Sequence, residues 1–196
     1  MESKKLLVTA SPHLTDGSST MGLMVHVIIA LVPAWIASVL IFGLRALAVS
    51  AVTVIACVVF EALYNILMKK PQTIGDCSAV VTGIILAFNL PASIPLWIAV
   101  VGAFVAIVVT KQLFGGLGMN FANPALVGRI ALFIGFAARM TNYTPPEGAL
   151  DGMASATPLA LAKTQSGIAM LKDLLLGTHP GMLGETCAVA LILGGI

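Results

Sequence analysis

Long apolar runs that follow one another with little charge between them constrain this chain more than any other feature. They lie at about Met21–Phe42, Leu47–Met68, Ala79–Leu90, Ile94–Thr110 and Pro124–Met140. A helix needs ~20 apolar residues to cross the hydrocarbon of a bilayer, so the first two runs span it comfortably and the fourth and fifth approximately. Composition agrees: 59% of residues are hydrophobic, 9% are charged and mean hydropathy is +1.04, outside the range of water-soluble globular domains. A cleaved leader does not account for it, because the first run already has spanning length and several more follow. The expected fold class is all-α, a polytopic membrane protein in contact with lipid. Ten Lys or Arg stand against eight Asp or Glu with no basic cluster, which leaves no footprint for nucleic acid.

The third run is too short to cross. Ala79–Leu90 ends at Leu90-Pro91, with Pro95 close behind, and proline stops a helix by removing a donor and crowding the preceding turn. This reads as a half-helix buried in a bundle, tolerated only where protein or a polar cavity satisfies the freed backbone groups. An internal match points the same way. Ile74-Gly75-Asp76-Cys77-Ser78-Ala79-Val80 aligns with Leu183-Gly184-Glu185-Thr186-Cys187-Ala188-Val189, each with an acid after glycine and each opening an apolar run. An odd number of crossings separates the copies, so they enter from opposite faces, as inverted repeats do.

Four regions follow: a cytoplasmic N-terminal segment 1–20, a first membrane repeat 21–140 of about five helical segments, an outer loop 141–181, and the start of a second repeat at 182–196, with the chain expected to be partial there. Lys4, Lys5, Lys69, Lys70 and Lys111 fall on one side and Arg45 and Arg139 on the other, which favours a cytoplasmic N-terminus and an outer 141–181 loop. Cys57, Cys77 and Cys187 lack any CxxC spacing and sit in or beside apolar runs, where cysteine packs as a small hydrophobe.

Two motifs carry candidate chemistry. In Lys111 to Ala125, Gly115, Gly116 and Gly118 permit positive φ and close backbone approach, and Asn120 and Asn123 can pair freed backbone groups before Pro124 starts a helix. Such a loop seats a planar ligand or simply joins two helices. In Asp151 to Lys163, Thr157 followed by Pro158 and an Ala/Leu run reads as an N-cap with proline at the first helical position. A phosphate esterified to Thr157 would meet free N–H groups at that helix start; a plain helix cap explains the same residues.

Both motifs in this order, after a short polar start containing Ser11-Pro12-His13, resemble the RnfD subunit of the Rnf ion-translocating ferredoxin:NAD oxidoreductase complex and its NqrB/RnfD family, over essentially the whole chain. The family's flavinylation pattern is Asp-x-x-Ser/Thr-Gly-Ala-Thr. Asp151, Ala156 and Thr157 match it, while Ala154 and Ser155 stand at the Ser/Thr and Gly positions. The resemblance implies FMN held on Thr157 by a phosphoester, a second, non-covalent flavin such as riboflavin, and a urea-channel-like pair of inverted repeats. It also implies Rnf subunits A, B, C, E and G as partners, a flavin transferase for maturation, and the bacterial cytoplasmic membrane, with the Thr157 loop outside.

Several ionisable groups remain inside apolar runs, among them His26, Glu61 and Arg129. Such groups are costly there and mark a function or a buried partner. Arg129, close after the glycine loop, is a candidate partner for an anionic flavin or a structural residue; Glu61, Asp76 and Glu185 are candidate carboxylates for a cation path or structural groups. The implied activity is electron relay through FMN, coupled to sodium or proton transport, with no complete active site in this chain. It has no GxGxxG in a βαβ setting and no ferredoxin-type cysteine run. The alternatives are a non-redox channel or secondary transporter of the same fold, and the NqrB subunit of a sodium-pumping NADH:quinone reductase.

Overall fold

A computed structural model describes residues 19–143, 175–177, 179–185 and 187–196. Helix α1, Thr20–Phe42, starts at Ser19, whose hydroxyl accepts from Gly22 N at 3.0 Å and so occupies one of the orphan donors of the first turn. Gly43 closes it at φ 67° and reverses the chain into α2, Leu44–Leu67. Both helices are long and apolar enough to cross a membrane, as their composition requires.

The two differ in what they bury. In α2 the buried residues are Ala46, Val49, Ser50, Thr53, Cys57, Glu61 and Asn65, a stripe at three- and four-residue spacing that keeps one face toward the protein. Most of these side chains are small or polar, so neighbouring backbones come close: a Cβ at Gly83 would stand 2.8 Å from Val54 Cα, the small-residue packing common between membrane helices. By contrast α1 buries only Ala34, Ser38 and Phe42 and leaves most of its apolar surface outward.

A short 3-10 turn, Ile74–Asp76, leads into α3, Ser78–Phe88. The short third run is thus an 11-residue helix, mostly buried, ending where Pro91 requires. The irregular stretch beyond it finds its hydrogen bonds within protein. Asn89 N and Leu90 N donate to Leu86 O and Ala87 O, Arg45 reaches the carbonyls of Ala92 and Ile94 at 3.4 Å, and Ser93 Oγ donates to Asn142 O at 2.6 Å. Because Arg45 opens α2, this irregular, turn-rich stretch carries the α3 limb to that end of the bundle.

Helix α4, Leu96–Gln112, begins after Pro95 and turns from α to π geometry over Val105–Gln112. Helix α5, Pro124–Gly135, ends at Phe136 (φ −135°, ψ 42°), which packs edge-on against Trp97 at 5.2 Å; α6, Ala137–Met140, follows. The fifth run is therefore two helices with a break, where the apolar pattern alone reads as one crossing. Helix α7, Ala188–Gly195, packs on α1. The architecture is all-helical among the described residues. One lysine counted for orientation is not a loop charge: Lys111 is buried inside the bundle, so Lys69 and Lys70, with Lys4 and Lys5 outside the described residues, carry that expectation.

Candidate functional site

Two helices supply the deepest polar cluster. Glu61 lies on the buried stripe of α2, and Lys111 on the π segment of α4; they are 0% and 1% exposed. Lys111 Nζ donates to Glu61 Oε2 at 2.9 Å, to Glu61 Oε1 at 3.0 Å and to Ser78 Oγ at 2.6 Å, which uses all three ammonium protons. Gln112 Nε2 and Thr73 Oγ1 also donate to Glu61 Oε1, at 2.9 and 2.7 Å. Asn65 Nδ2 donates to Thr73. Ser78 Oγ donates onward to Asp76 Oδ1, which also accepts from Ser78 N at 2.8 Å and caps α3.

The π geometry brings Lys111 and Gln112, adjacent in sequence, to the same carboxylate; π turns of this kind recur at functional sites. Taking both charges out of water is expensive, and a buried pair persists only when its remaining hydrogen bonds are also met. Here they are.

The glycine loop starts where this cluster ends. Gly115, Gly116 and Gly118 adopt φ of 118°, 96° and 86°, the left-handed region open to glycine. Gly116 N donates to Lys111 O at 3.0 Å and Met119 N to Gly116 O at 3.2 Å, so the glycines terminate α4 and turn the chain. Asn123 Oδ1 accepts from Ala125 N at 3.0 Å with Pro124 at the first turn, and so starts α5 as the sequence predicts. Between this loop and α3 lies a cavity of about 240 Å³, lined by Ser78, Thr82, Lys111, Asn120, Asn123 and apolar neighbours including Met24 and Ile85. Asn120 Oδ1 is buried without a hydrogen-bond partner among the described residues. A buried carbonyl left so costs about 1–3 kcal/mol.

Arg129 does not join this cavity. It lies farther along α5 and donates through Nη1 to Asn89 Oδ1 at 2.7 Å, at the other end of α3. There a second cavity of about 290 Å³ is lined by Phe88, Asn89, Arg129, Met182, Gly184 and Glu185. Leu183 N and Gly184 N donate to Leu90 O and Phe88 O at 3.1 and 3.0 Å, so the second copy of the internal match runs antiparallel past the end of α3. His26, exposed on α1, is satisfied by Gly22 O at 2.7 Å. All three cysteines are free thiols, and no metal-binding group of His, Cys, Asp or Glu occurs among the described residues. Asp151, Ser155, Ala156 and Thr157 lie outside the described residues.

Sequence reasoning missed Lys111 as a site residue, and with it Ser78, Gln112, Asn89 and Thr73. A signal existed for one of them: Glu61 and Lys111 are opposite charges placed in or at the edge of different apolar runs, and such groups pair.

These features define a helical membrane protein with a cavity at each end of a short buried helix. The chain belongs to the NQR2, RnfD, RnfE family, whose model matches residues 7–196. It is 46% identical, over 202 residues, to the D-subunit of the Na(+)-translocating ferredoxin:NAD(+) oxidoreductase complex of Acetobacterium woodii, with 100% of this chain and 63% of the relative covered. It is 37% identical to the proton-translocating counterpart of Clostridium ljungdahlii, covering 96% and 60%, and 34% identical to the D-subunit of the ion-translocating oxidoreductase complex of Rhodobacter capsulatus, covering 95% and 61%. The chain spans about three fifths of the length of these relatives.

Proposed function

We propose that this chain belongs to a membrane subunit of an ion-translocating ferredoxin:NAD oxidoreductase complex, relaying electrons through FMN esterified to Thr157 and helping couple that transfer to sodium or proton movement. The observation that carries the reading is the family match over residues 7–196, to which the flavinylation residues Asp151, Ala156 and Thr157 add chemical detail. Other Rnf subunits are the partners this implies, and the outer face is where the Thr157 loop belongs. A flavin, when bound, supplies the one-electron carriage, and the protein supplies its seat and orientation.

The inner cavity suits the second, non-covalent flavin. At about 240 Å³ it lies just below the usual range of small-molecule pockets, ~300–1,000 Å³, which fits a planar ring inserted with its side chain outside. Asn120, on the cavity wall, would turn its amide to pair the imide edge, Asn123 would hold the loop while fixing the start of α5, and Gly115, Gly116 and Gly118 let the backbone turn beside the ring. Met24, Val81 and Ile85 would exclude water from its faces.

Covalent flavin can be read directly. Co-expressed with a flavin transferase, the full-length protein should fluoresce under ultraviolet light in a denaturing gel and show the added mass of FMN; Thr157→Ala should remove both while the membrane domain stays folded, since an exposed cap contributes only ~1 kcal/mol. Flavin retained on that variant assigns the ester elsewhere. Orientation is tested by Ser166→Cys, expected to react with an impermeant reagent from outside; labelling only after the membrane is opened reverses it.

A non-redox channel or transporter of the same fold is favoured by one observation, the short α3 with a cavity at each end. A full-length chain without covalent or bound flavin that still conducts a solute would establish that reading instead.

A further inference from the structure

The Glu61–Lys111 pair is neutral as a whole but not symmetric about the inner cavity. Lys111 lines the cavity and Glu61 does not; Ser78, which accepts from Lys111, lines it too, and Asp76 behind Ser78 does not. Lys111 is the one charged residue among the described lining residues. Of the three charged groups in the cluster, Lys111 alone belongs to the cavity wall. The ammonium is held in place by Glu61 and Ser78 at 2.6–3.0 Å. In a bundle of low dielectric an oriented pair of this kind projects a field that water would otherwise cancel.

We propose that the pair is a fixed, oriented charge device that raises the reduction potential of the flavin held in this cavity, with Lys111 as a positioning and tuning residue rather than a ligand. This rests on the reading of the cavity as a flavin site. An electron added to the ring brings one negative charge, which Lys111 stabilises without giving up a proton; oxidised, uncharged flavin gains little from it. Glu61 has two roles: it keeps the ammonium buried, and it partly offsets the ammonium's field.

That division gives opposite signs for two substitutions. In the full-length protein within its native membrane assembly, loaded with riboflavin and titrated by spectroelectrochemistry, Lys111→Met should weaken the preference for reduced over oxidised flavin by about tenfold, a fall of ~59 mV for a one-electron step. Glu61→Gln, which keeps the shape and an acceptor oxygen for Lys111, should shift the potential upward. A merely structural pair would move both variants the same way, through loss of flavin. If Lys111→Met does not assemble, the upward shift in Glu61→Gln still decides. A potential unchanged in Glu61→Gln, or lowered in both, overturns the proposal.

Asn120→Leu separates the two levels. Loss of riboflavin from that variant with charge variants that leave the potential fixed removes the charge proposal alone. Riboflavin retained at wild-type stoichiometry in Asn120→Leu removes the cavity reading and the proposal with it.

Discussion

The two ends of α3 solve the same problem in different ways. At Ser78 a cation meets a carboxylate and every proton of the ammonium has an acceptor. At Asn89 a guanidinium meets a neutral amide beside a cavity of about 290 Å³. The first end, beside its own cavity of about 240 Å³, has its charges saturated by three elements of the bundle. The second is assembled from α3, α5 and a segment far along the chain, Met182–Glu185. Charge balance makes the first end a fixed part of the scaffold, whereas the second depends on how distant pieces of chain come together.

The saturated end should respond most strongly to substitution. Glu61→Ala strands the Lys111 ammonium in the interior and should cost roughly 3–5 kcal/mol, seen as a large fall in the apparent Tm of the full-length protein in detergent micelles. A loss no greater than that of a surface substitution would mean that water reaches the pair.

Gly184→Ala probes the junction at the open end. An added Cβ would crowd the Phe88 side chain at its root, standing 2.6 Å from Cγ, a rigid part of the neighbour, and overpacking of this sort costs ~1–3 kcal/mol. Backbone amide exchange at Leu183 and Gly184, whose N–H groups bond to Leu90 and Phe88, should accelerate in the same variant.

The smallest effect is expected from Arg129→Met, which removes one hydrogen bond and leaves Asn89 Oδ1 beside an open cavity, at about 1 kcal/mol. Thermal melts should place it well above Glu61→Ala. Equal losses in the two would erase the distinction between a saturated and an open end.

Much of the local structure was legible beforehand. The spanning lengths of α1 and α2 follow from uninterrupted apolar runs, the short α3 from Leu90-Pro91, the turn before α5 from its glycines and Asn123-Pro124. Phe136 broke the fifth run without warning, because Trp97, the neighbour that holds it there, is remote in sequence. Arg129 was legible as a costly intramembrane charge and close in sequence to the glycine loop, yet it extends to Asn89 and the other cavity. Lys111 misled for a simpler reason. At the end of an apolar run a lysine looks like a loop charge, and only the π geometry of Val105–Gln112 turns it inward.

Sequence by itself determined that this is a membrane-embedded helical chain, where α1, α2 and α3 lie, and which family motifs it carries, because hydrophobic length, proline and glycine act locally. Tertiary structure decided which polar groups meet. Glu61 finds Lys111 and Gln112 on α4, Lys111 finds Ser78 on α3, and Asn120 is left on a cavity wall, because a charge or amide in an apolar bundle is stabilised by whatever partner packing brings within hydrogen-bond reach, and no local rule of sequence specifies that partner.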